Sequence, residues 1–398
     1  MIKRIEINYR GIFQKSLAKR IGGDIVIIAT RMGQVGFSNG RYSDSPERNG
    51  IPCKYFAFVS PDLSEEELEA ECGAKLDIDE ANVSVVLDDT LVKGVEPWGW
   101  HGIRPINEKV VEGGYLLVVS RKGHDELLRF IGKKPYPYHL AILEGDASFA
   151  GLWVYKDDLT HERVLGAIAA LDPAIISIEA VEEYLRARTQ QEHRAGAARQ
   201  AYESVRERIK VVTPEQGVDW PYEVPALPRW NEFQEGIVVP AVPRGFALGP
   251  RGQSRNPMFK RGTTKTYRPV IRFDLCTKCT LCWQECPDEC FDPTPDGLFD
   301  VNYEYCTGCG KCAEVCPVHE CIVMVDELRF EDDRSPWELW RRDPDGYIAW
   351  AEAKKGTERV TYPPVTGTGV AVAEGQTVPR GKITPVRRPK YERQEVRS

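Results

Sequence analysis

Two runs of cysteine are the residues of this chain whose type and spacing predict chemistry. The eight positions are Cys276, Cys279, Cys282 and Cys286 in the first run, and Cys306, Cys309, Cys312 and Cys316 in the second. A proline follows the last cysteine of each run. Thiolates at this spacing are typical ligands of [4Fe–4S] clusters. The repeated pattern therefore predicts two clusters that carry electrons one at a time.

The division of the cysteines between the two clusters follows from the position of the prolines. The first three thiolates of a run can surround one face of a cluster, whereas the proline turns the chain away after the fourth. In two-cluster ferredoxins, the fourth cysteine ligates the other cluster. We therefore assign Cys276, Cys279, Cys282 and Cys316 to cluster 1, and Cys306, Cys309, Cys312 and Cys286 to cluster 2.

Zinc and disulfides are the alternatives for so many cysteines. Zinc sites also use C-x-x-C pairs, but a third cysteine, then Cys-Pro, and then a repeat of the whole pattern favour iron–sulfur clusters. The charged N-terminus lacks the apolar core of a signal peptide, so we expect a cytoplasmic protein with reduced thiols. The remaining thiols are expected to be buried packing residues: Cys53, Cys72, Cys290 and Cys321.

Length and composition predict a protein of several domains whose charge is unevenly spread along the chain. The 398 residues exceed a single compact core, and the net charge is -7. No run approaches the ~20 apolar residues that span a bilayer, and no phosphate-binding glycine motif is present. We expect neither a membrane nor a nucleic acid among the partners. Residues 271–325 are rich in carboxylates, whereas the last twenty residues are basic, which suggests docking guided by charge. A solvated, disordered end is the alternative interpretation of the basic tail.

Residues 1–211 are predicted to form an open α/β sheet domain ending in helices. Short apolar runs indicate strands, because they are too brief for buried helices. These runs are Lys3–Tyr9, Asp24–Thr30, Lys54–Val59, Val83–Leu87, Tyr115–Val119 and Leu140–Leu143. Ser64 and Ser177 stand where they would cap helices, and residues 159–211 repeat apolar residues at helical spacing. Strands alternating with helices favour a sheet covered on both faces.

The rest of the chain divides into three segments. Residues 212–265 are rich in proline and are expected to form an extended arm. Residues 266–330 are expected to be an α+β ferredoxin domain of the bacterial two-cluster type. Residues 331–398 are predicted to be an extended tail that buries Trp337, Trp340 and Trp350 on a neighbouring chain.

Two further strings of residues resemble a known family. Gly262–Val270, which contains Arg268-Pro269, is similar to the entry of the delta subunit of 2-oxoacid:ferredoxin oxidoreductases. Arg41–Pro52, followed by the expected strand Lys54–Val59, resembles the gamma subunit. The chain thus resembles a fusion of gamma and delta subunits over about residues 1–330. The enzyme that it resembles is pyruvate:ferredoxin oxidoreductase-like, and the cysteine runs are the motifs most specific for its chemistry.

The resemblance implies an electron-transfer subunit that is not active alone. In this family, a 2-oxoacid is decarboxylated on thiamine diphosphate and Mg²⁺, and the electrons pass through clusters to ferredoxin. The string Glu144–Ala147 lacks the second glycine of the family's diphosphate motif, so the cofactor is expected on separate alpha and beta subunits. The alternative is a ferredoxin-like carrier, or an adaptor subunit of a different redox complex.

One residue departs from the family pattern after the first strand. Arg10 stands where gamma subunits usually carry a glycine-rich turn. Because arginine forms paired hydrogen bonds with carboxylates and phosphates, Arg10 is a candidate contact for substrate or coenzyme A. A surface salt bridge at the end of a strand is the competing interpretation. No catalytic residue is predicted on this chain.

Overall fold

The computed structural model describes residues 2–41, 51–73, 77–95, 103–147, 156–224, 262–354 and 372–373. Its first part begins with strand β1 (Lys3–Arg10), which passes directly into the long helix α1 (Gly11–Arg31). The elements that follow are β2 (Val35–Gly40), β3 (Pro52–Ser60), α2 (Glu65–Cys72), β4 (Ala81–Val86), β5 (Val110–Val119), α3 (His124–Leu128), β6 (Tyr138–Leu143), β7 (Lys156–Asp157), α4 (Thr160–Leu171), α5 (Ile178–Thr189), α6 (Glu192–Arg206) and β8 (Ile209–Val212).

These elements form an α/β domain around one seven-stranded sheet, in the order β2-β3-β1-β4-β5-β6-β8. The strands β1, β4, β5 and β6 are parallel, and the outer strands are antiparallel. One face packs against α1 and the helices α4 to α6. On the other face, buried side chains form two smaller clusters, one of which includes Leu328 from far along the chain. The predicted α/β sheet with two covered faces is confirmed.

The prediction of a strand at Asp24–Thr30 is wrong, because this segment lies inside α1. Leu17, Ile21, Ile25 and Ile28 are fully buried at helical spacing, whereas the neighbouring Ile27 is 44% exposed. A run of β-branched residues imitates a buried strand when it is considered alone. The prediction of a cap at Ser64 is confirmed, since its hydroxyl accepts from the Glu67 amide and the Glu67 carboxylate accepts in return.

The ferredoxin domain follows as an α+β unit, as predicted. Its elements are β9 (Tyr267–Ile271), α7 (Leu281–Gln284), β10 (Phe291–Pro293), β11 (Phe299–Val301), α8 (Lys311–Val315) and β12 (Ile322–Asp326). The strand β9 pairs with β12, and β10 pairs with β11, each time antiparallel. Most of the proline-rich arm, residues 225–261, lies outside the described residues.

The predicted extended tail is wrong for its first part. Helices α9 (Pro336–Arg342) and α10 (Pro344–Lys354) pack on the ferredoxin core, where Trp340 meets Phe273 with ring centroids 5.5 Å apart. The Tyr347 hydroxyl donates to the Ile271 carbonyl at 2.9 Å. Aromatic side chains can pack on the core of a neighbouring domain. The two helices therefore fold without a long apolar face that would form a core of their own. Residues 355–371 and 374–398 lie outside the described residues, and two-residue strand β13 (Val372–Ala373) pairs with β7.

None of the helices in the described part of the chain combines the length and the apolar character needed to cross a membrane.

Candidate iron–sulfur centre

The two cysteine runs adopt the same local structure, a tight loop leading into a short helix. In the second run, Gly308 and Gly310 have φ angles of 70° and 75°. The matching positions of the first run, Lys278 and Thr280, have φ angles of 59° and 68° although they carry side chains. This left-handed backbone winds each loop tightly, so that the closely spaced thiols of one run share one cavity.

The first cavity gathers the four thiols predicted for cluster 1. Cys276, Cys279, Cys282 and the distant Cys316 line it together. Its other walls are mostly apolar and include Ile271, Phe299, Val318 and Ile322. The fourth thiol thus comes from the opposite run, where Pro317 follows it.

The second cavity gathers the four thiols predicted for cluster 2. Cys306, Cys309, Cys312 and Cys286 share it with Pro269, Phe291 and Met324. The structure therefore brings together all eight predicted site residues in the predicted groups, and their bonding to iron stays a proposal.

The sulfur atoms also receive hydrogen bonds that suit an anionic cluster. The amide of Lys278 donates to Cys276 Sγ at 3.4 Å, and the amide of Gly308 donates to Cys306 Sγ at 3.4 Å. Such bonds stabilise thiolate charge and adjust cluster potentials. Among the described residues, no three His, Cys, Asp or Glu side chains converge to hold a single metal ion. In each cavity, three thiols of one run meet the fourth thiol of the other run, which is the ligand pattern of two-cluster ferredoxins.

A further buried thiol contacts each group of ligands. Hydrogen bonding from Cys321 lowers the pKa of Cys276 to about 6, and hydrogen bonding from Cys290 lowers the pKa of Cys286 to about 7. Cys290 and Cys321 are both 2% exposed and line the respective cavities. They occupy matching places in the two halves, as expected for packing residues.

Burial opposes ionisation of other thiols among the eight cysteines of the two cavities. It raises the pKa of Cys282 to about 12 and holds the pKa of Cys312 well above its usual value. Without a bound cation, these thiols therefore stay protonated near neutral pH. Thiolates are the form that binds iron, so cluster binding must release protons and stabilise this part of the fold.

Arg10 links the sheet domain to the entry of the ferredoxin domain. Its guanidinium donates to the carbonyls of Thr263 at 2.5 Å and Lys265 at 3.3 Å, and to the Thr90 hydroxyl at 2.6 Å. Arg10 is 1% exposed. This placement favours a structural role, and contact with substrate or coenzyme A stays a prediction. Its Nε also lies 3.9 Å from the Asp88 carboxylate, so Arg10 does form a salt bridge at the end of its strand, but a buried one rather than the surface one considered as the alternative.

A buried group of charges, which the sequence did not reveal, lies at the same interface. Glu327 accepts two parallel hydrogen bonds from Arg268, at 2.5 and 2.9 Å, and one from Lys93 of the sheet domain at 2.6 Å. Burial would raise the pKa of Glu327, but Arg268, Lys265 and Lys93 outweigh it, so the pKa lies well below its usual range. The string Arg268-Pro269 was noted in the sequence, but its partner lies 59 residues away.

Comparison with known proteins agrees with this geometry. The model of the 4Fe-4S dicluster domain matches residues 269–324. Pyruvate synthase subunit PorD of Thermotoga maritima is 35% identical over 89 residues, which are 22% of this chain and 87% of that protein. The chain belongs to the 2-oxoacid:ferredoxin oxidoreductase family. Another relative in this family comparison, the delta subunit of the NADH-dependent phenylglyoxylate dehydrogenase of Aromatoleum evansii, is 43% identical over 92 residues, 23% of this chain and 89% of that subunit.

Solved structures align with about half of this chain. The pyruvate oxidoreductase subunit PORC of Thermotoga maritima aligns over 53% of this chain and 98% of its own, at 18% identity and a TM-score of 0.35. The gamma subunit of a keto/oxoacid ferredoxin oxidoreductase from Geobacter sulfurreducens aligns over 52% and 96%, at 16% identity and a TM-score of 0.34. Scores this low establish no relationship by themselves.

Proposed function

We propose that this chain is the fused gamma and delta, electron-transfer subunit of a 2-oxoacid:ferredoxin oxidoreductase complex. The observation that carries the proposal is the sorting of eight thiols into two neighbouring four-thiol cavities. Two [4Fe–4S] clusters bound there would each accept and donate one electron at a time. Membership of the family supports a place in a multi-subunit complex.

The division of labour follows from what this chain offers. Oxidative decarboxylation of a 2-oxoacid releases CO₂ and two electrons, which leave through one-electron carriers. Thiamine diphosphate and Mg²⁺ belong to the alpha and beta subunits, with coenzyme A as a candidate co-substrate. The thiols of this chain hold the clusters, and backbone amides such as that of Gly308 stabilise their negative charge. Ferredoxin is the proposed acceptor.

The sheet domain holds the ferredoxin domain in a fixed position. Arg10 and Lys93 connect it to Thr263 and Glu327 on the ferredoxin side through partly buried hydrogen bonds. A charge-assisted contact of this kind holds two units in one arrangement and so fixes the position of the clusters. The gamma-like character of this domain is part of the proposal.

The test is to purify the native complex without oxygen and add a panel of 2-oxoacids. Each true substrate should produce the reduced-cluster signal by electron paramagnetic resonance, and the chain should carry ~8 iron atoms. The isolated chain should bind no thiamine diphosphate by calorimetry. A chain that purifies without larger partners, and whose clusters no 2-oxoacid reduces, would instead support the alternative of a free carrier or an adaptor for another redox complex.

A further inference from the structure

Lys265 is a buried lysine that packs against the loop carrying the cluster 2 thiol Cys306. It is 2% exposed, and its ammonium donates to the carbonyl of Tyr303, just before Cys306 in the chain, at 2.7 Å. A Cβ added to Gly308 would lie 2.9 Å from Lys265 Cβ, so the two residues are in close contact. The amide of Gly308 in turn donates to the thiol of Cys306. A buried positive charge therefore lies beside the cluster 2 site.

The charge of Lys265 is shared with its neighbours but not cancelled by them. Its ammonium lies 3.7 Å from the Asp333 carboxylate and 4.0 Å from the Glu327 carboxylate. These two carboxylates also pair with Arg268 and Lys93. Three cations thus face two carboxylates, and the group keeps one positive charge in excess.

The charge of Lys265 also reaches the sulfur of a cluster 2 ligand. Hydrogen bonding from Cys290 lowers the pKa of Cys306, and the charge of Lys265 lowers it further, although burial acts in the opposite direction. A reduced cluster carries one more negative charge than an oxidised one. A cation that favours the thiolate therefore also favours the reduced cluster at the same place. Because the site is buried, little water screens this attraction.

The cations near the cluster 1 site are placed differently. Lys278, within the first cysteine run, is exposed, so water and salt screen its charge. Arg272, just before that run, is paired with the carboxylates of Asp274 and Glu352, which offset its charge. Of these three cations, Lys265 alone combines burial with a charge that its neighbours leave in excess.

One carboxylate near cluster 2 acts against Lys265. Asp288 lines the same cavity as the cluster 2 thiols and accepts a hydrogen bond from the Thr307 hydroxyl at 2.7 Å. Because Asp288 is only half-buried, water screens its charge more than it screens the charge of Lys265. The lysine should therefore have the larger influence on the cluster.

We propose that Lys265 raises the reduction potential of cluster 2, because its buried positive charge stabilises the reduced form. The lysine would thereby increase the driving force for electron transfer into cluster 2 beyond what the four thiolates alone provide. Lys265 binds neither substrate nor iron in this proposal and acts through its charge. The inference rests on the proposed function, since it requires a cluster on the thiols of this cavity.

The test is a redox titration of the full chain, purified without oxygen and followed by electron paramagnetic resonance. Dithionite and mediators set the solution potential, so the result does not depend on any 2-oxoacid. The signal of cluster 2 is the one that Cys286→Ser removes. In Lys265→Met, we expect the ratio of reduced to oxidised cluster 2 at a fixed solution potential to fall about tenfold, a shift of about 59 mV for a one-electron couple.

Two matched variants separate the effect of charge from that of packing. Asp333→Asn removes a negative charge beside the ammonium of Lys265, so it should raise the potential of cluster 2. Lys278→Met removes an exposed lysine of the first run and should leave cluster 2 unchanged. Any fall in the potential of cluster 1 in this control should disappear at high salt.

Opposite shifts in Lys265→Met and Asp333→Asn would support the inference. Unchanged potentials in both variants would overturn it. Shifts in the same direction would overturn it as well, because loosened packing does not depend on the sign of the charge removed. If Lys265→Met lowers the iron content, the direction of the shift in Asp333→Asn decides. A wild-type chain that holds fewer than ~8 iron atoms and lacks the cluster 2 signal would contradict the proposed function itself.

Discussion

Replacing Gly308 with alanine should cost the chain cluster 2. Gly308 has a φ of +70°, and an added Cβ would lie 2.4 Å from the Tyr267 carbonyl oxygen and 2.9 Å from Lys265 Cβ. Neither neighbour can withdraw easily. Tyr267 belongs to β9, and the Lys265 ammonium donates to the Tyr303 carbonyl at 2.7 Å. The loop carrying Cys306 would therefore have to shift.

The destabilisation by Gly308→Ala has a backbone part and a packing part, and a matched variant separates the two. A left-handed backbone costs a residue with a side chain about 1–2 kcal/mol. Overpacking against fixed neighbours adds about 1–3 kcal/mol, so Gly308→Ala should destabilise the fold by roughly 2–5 kcal/mol. Gly310 has a φ of +75°, but the nearest atom to its added Cβ is Met324 Cγ at 3.9 Å. Gly310→Ala should therefore show only the backbone cost.

Both variants are assayed by iron content and by chemical denaturation after anaerobic purification. Wild type and Gly310→Ala should hold ~8 iron atoms per chain, and Gly308→Ala should hold ~4. Equal iron content and equal denaturation midpoints in the two alanine variants would refute the steric reasoning.

Three other substitutions test the remaining parts of the site. Cys286→Ser should lower iron to ~4 per chain and remove the resonance signal of cluster 2 rather than cluster 1; loss of cluster 1 would contradict the assignment. Glu327→Gln should lower the free energy of unfolding by about 3–5 kcal/mol, because Lys93 loses its carboxylate and Arg268 keeps only that of the more exposed Asp333. Its depressed pKa means that Glu327 is ionised at pH 6 and 8, so the loss measured by denaturation should be equal at both; a pH-dependent loss would be contrary evidence. Arg10→Ala should destabilise the chain in the same assay yet leave the Michaelis constants for 2-oxoacid and coenzyme A unchanged, and a rise in either would favour a substrate contact.

The parts of this molecule that local sequence patterns determine were predictable. The spacing of the cysteines indicates the geometry of their loops. The cap of α2 by Ser64 depends only on residues of the same helical turn. The prediction of a strand around Asp24 is wrong because helix and strand compete over short apolar runs, and the outcome depends on Leu17 and Ile21, which extend the buried side of the helix before the run. The contacts of Arg10 and Glu327 could not be read from the sequence, because their partners lie 253 and 59 residues away.

Through Leu328, the insertion of iron–sulfur clusters affects the stability of both domains. It follows the last strand of the ferredoxin domain, yet its side chain completes a buried cluster on the face of the sheet. Cluster insertion stabilises the ferredoxin domain, and that stabilisation is transmitted to whatever packs on it. A chain without iron should therefore hold this part of the sheet core less firmly than a loaded chain does, because Leu328 is anchored on a ferredoxin domain that lacks the stabilisation of its clusters.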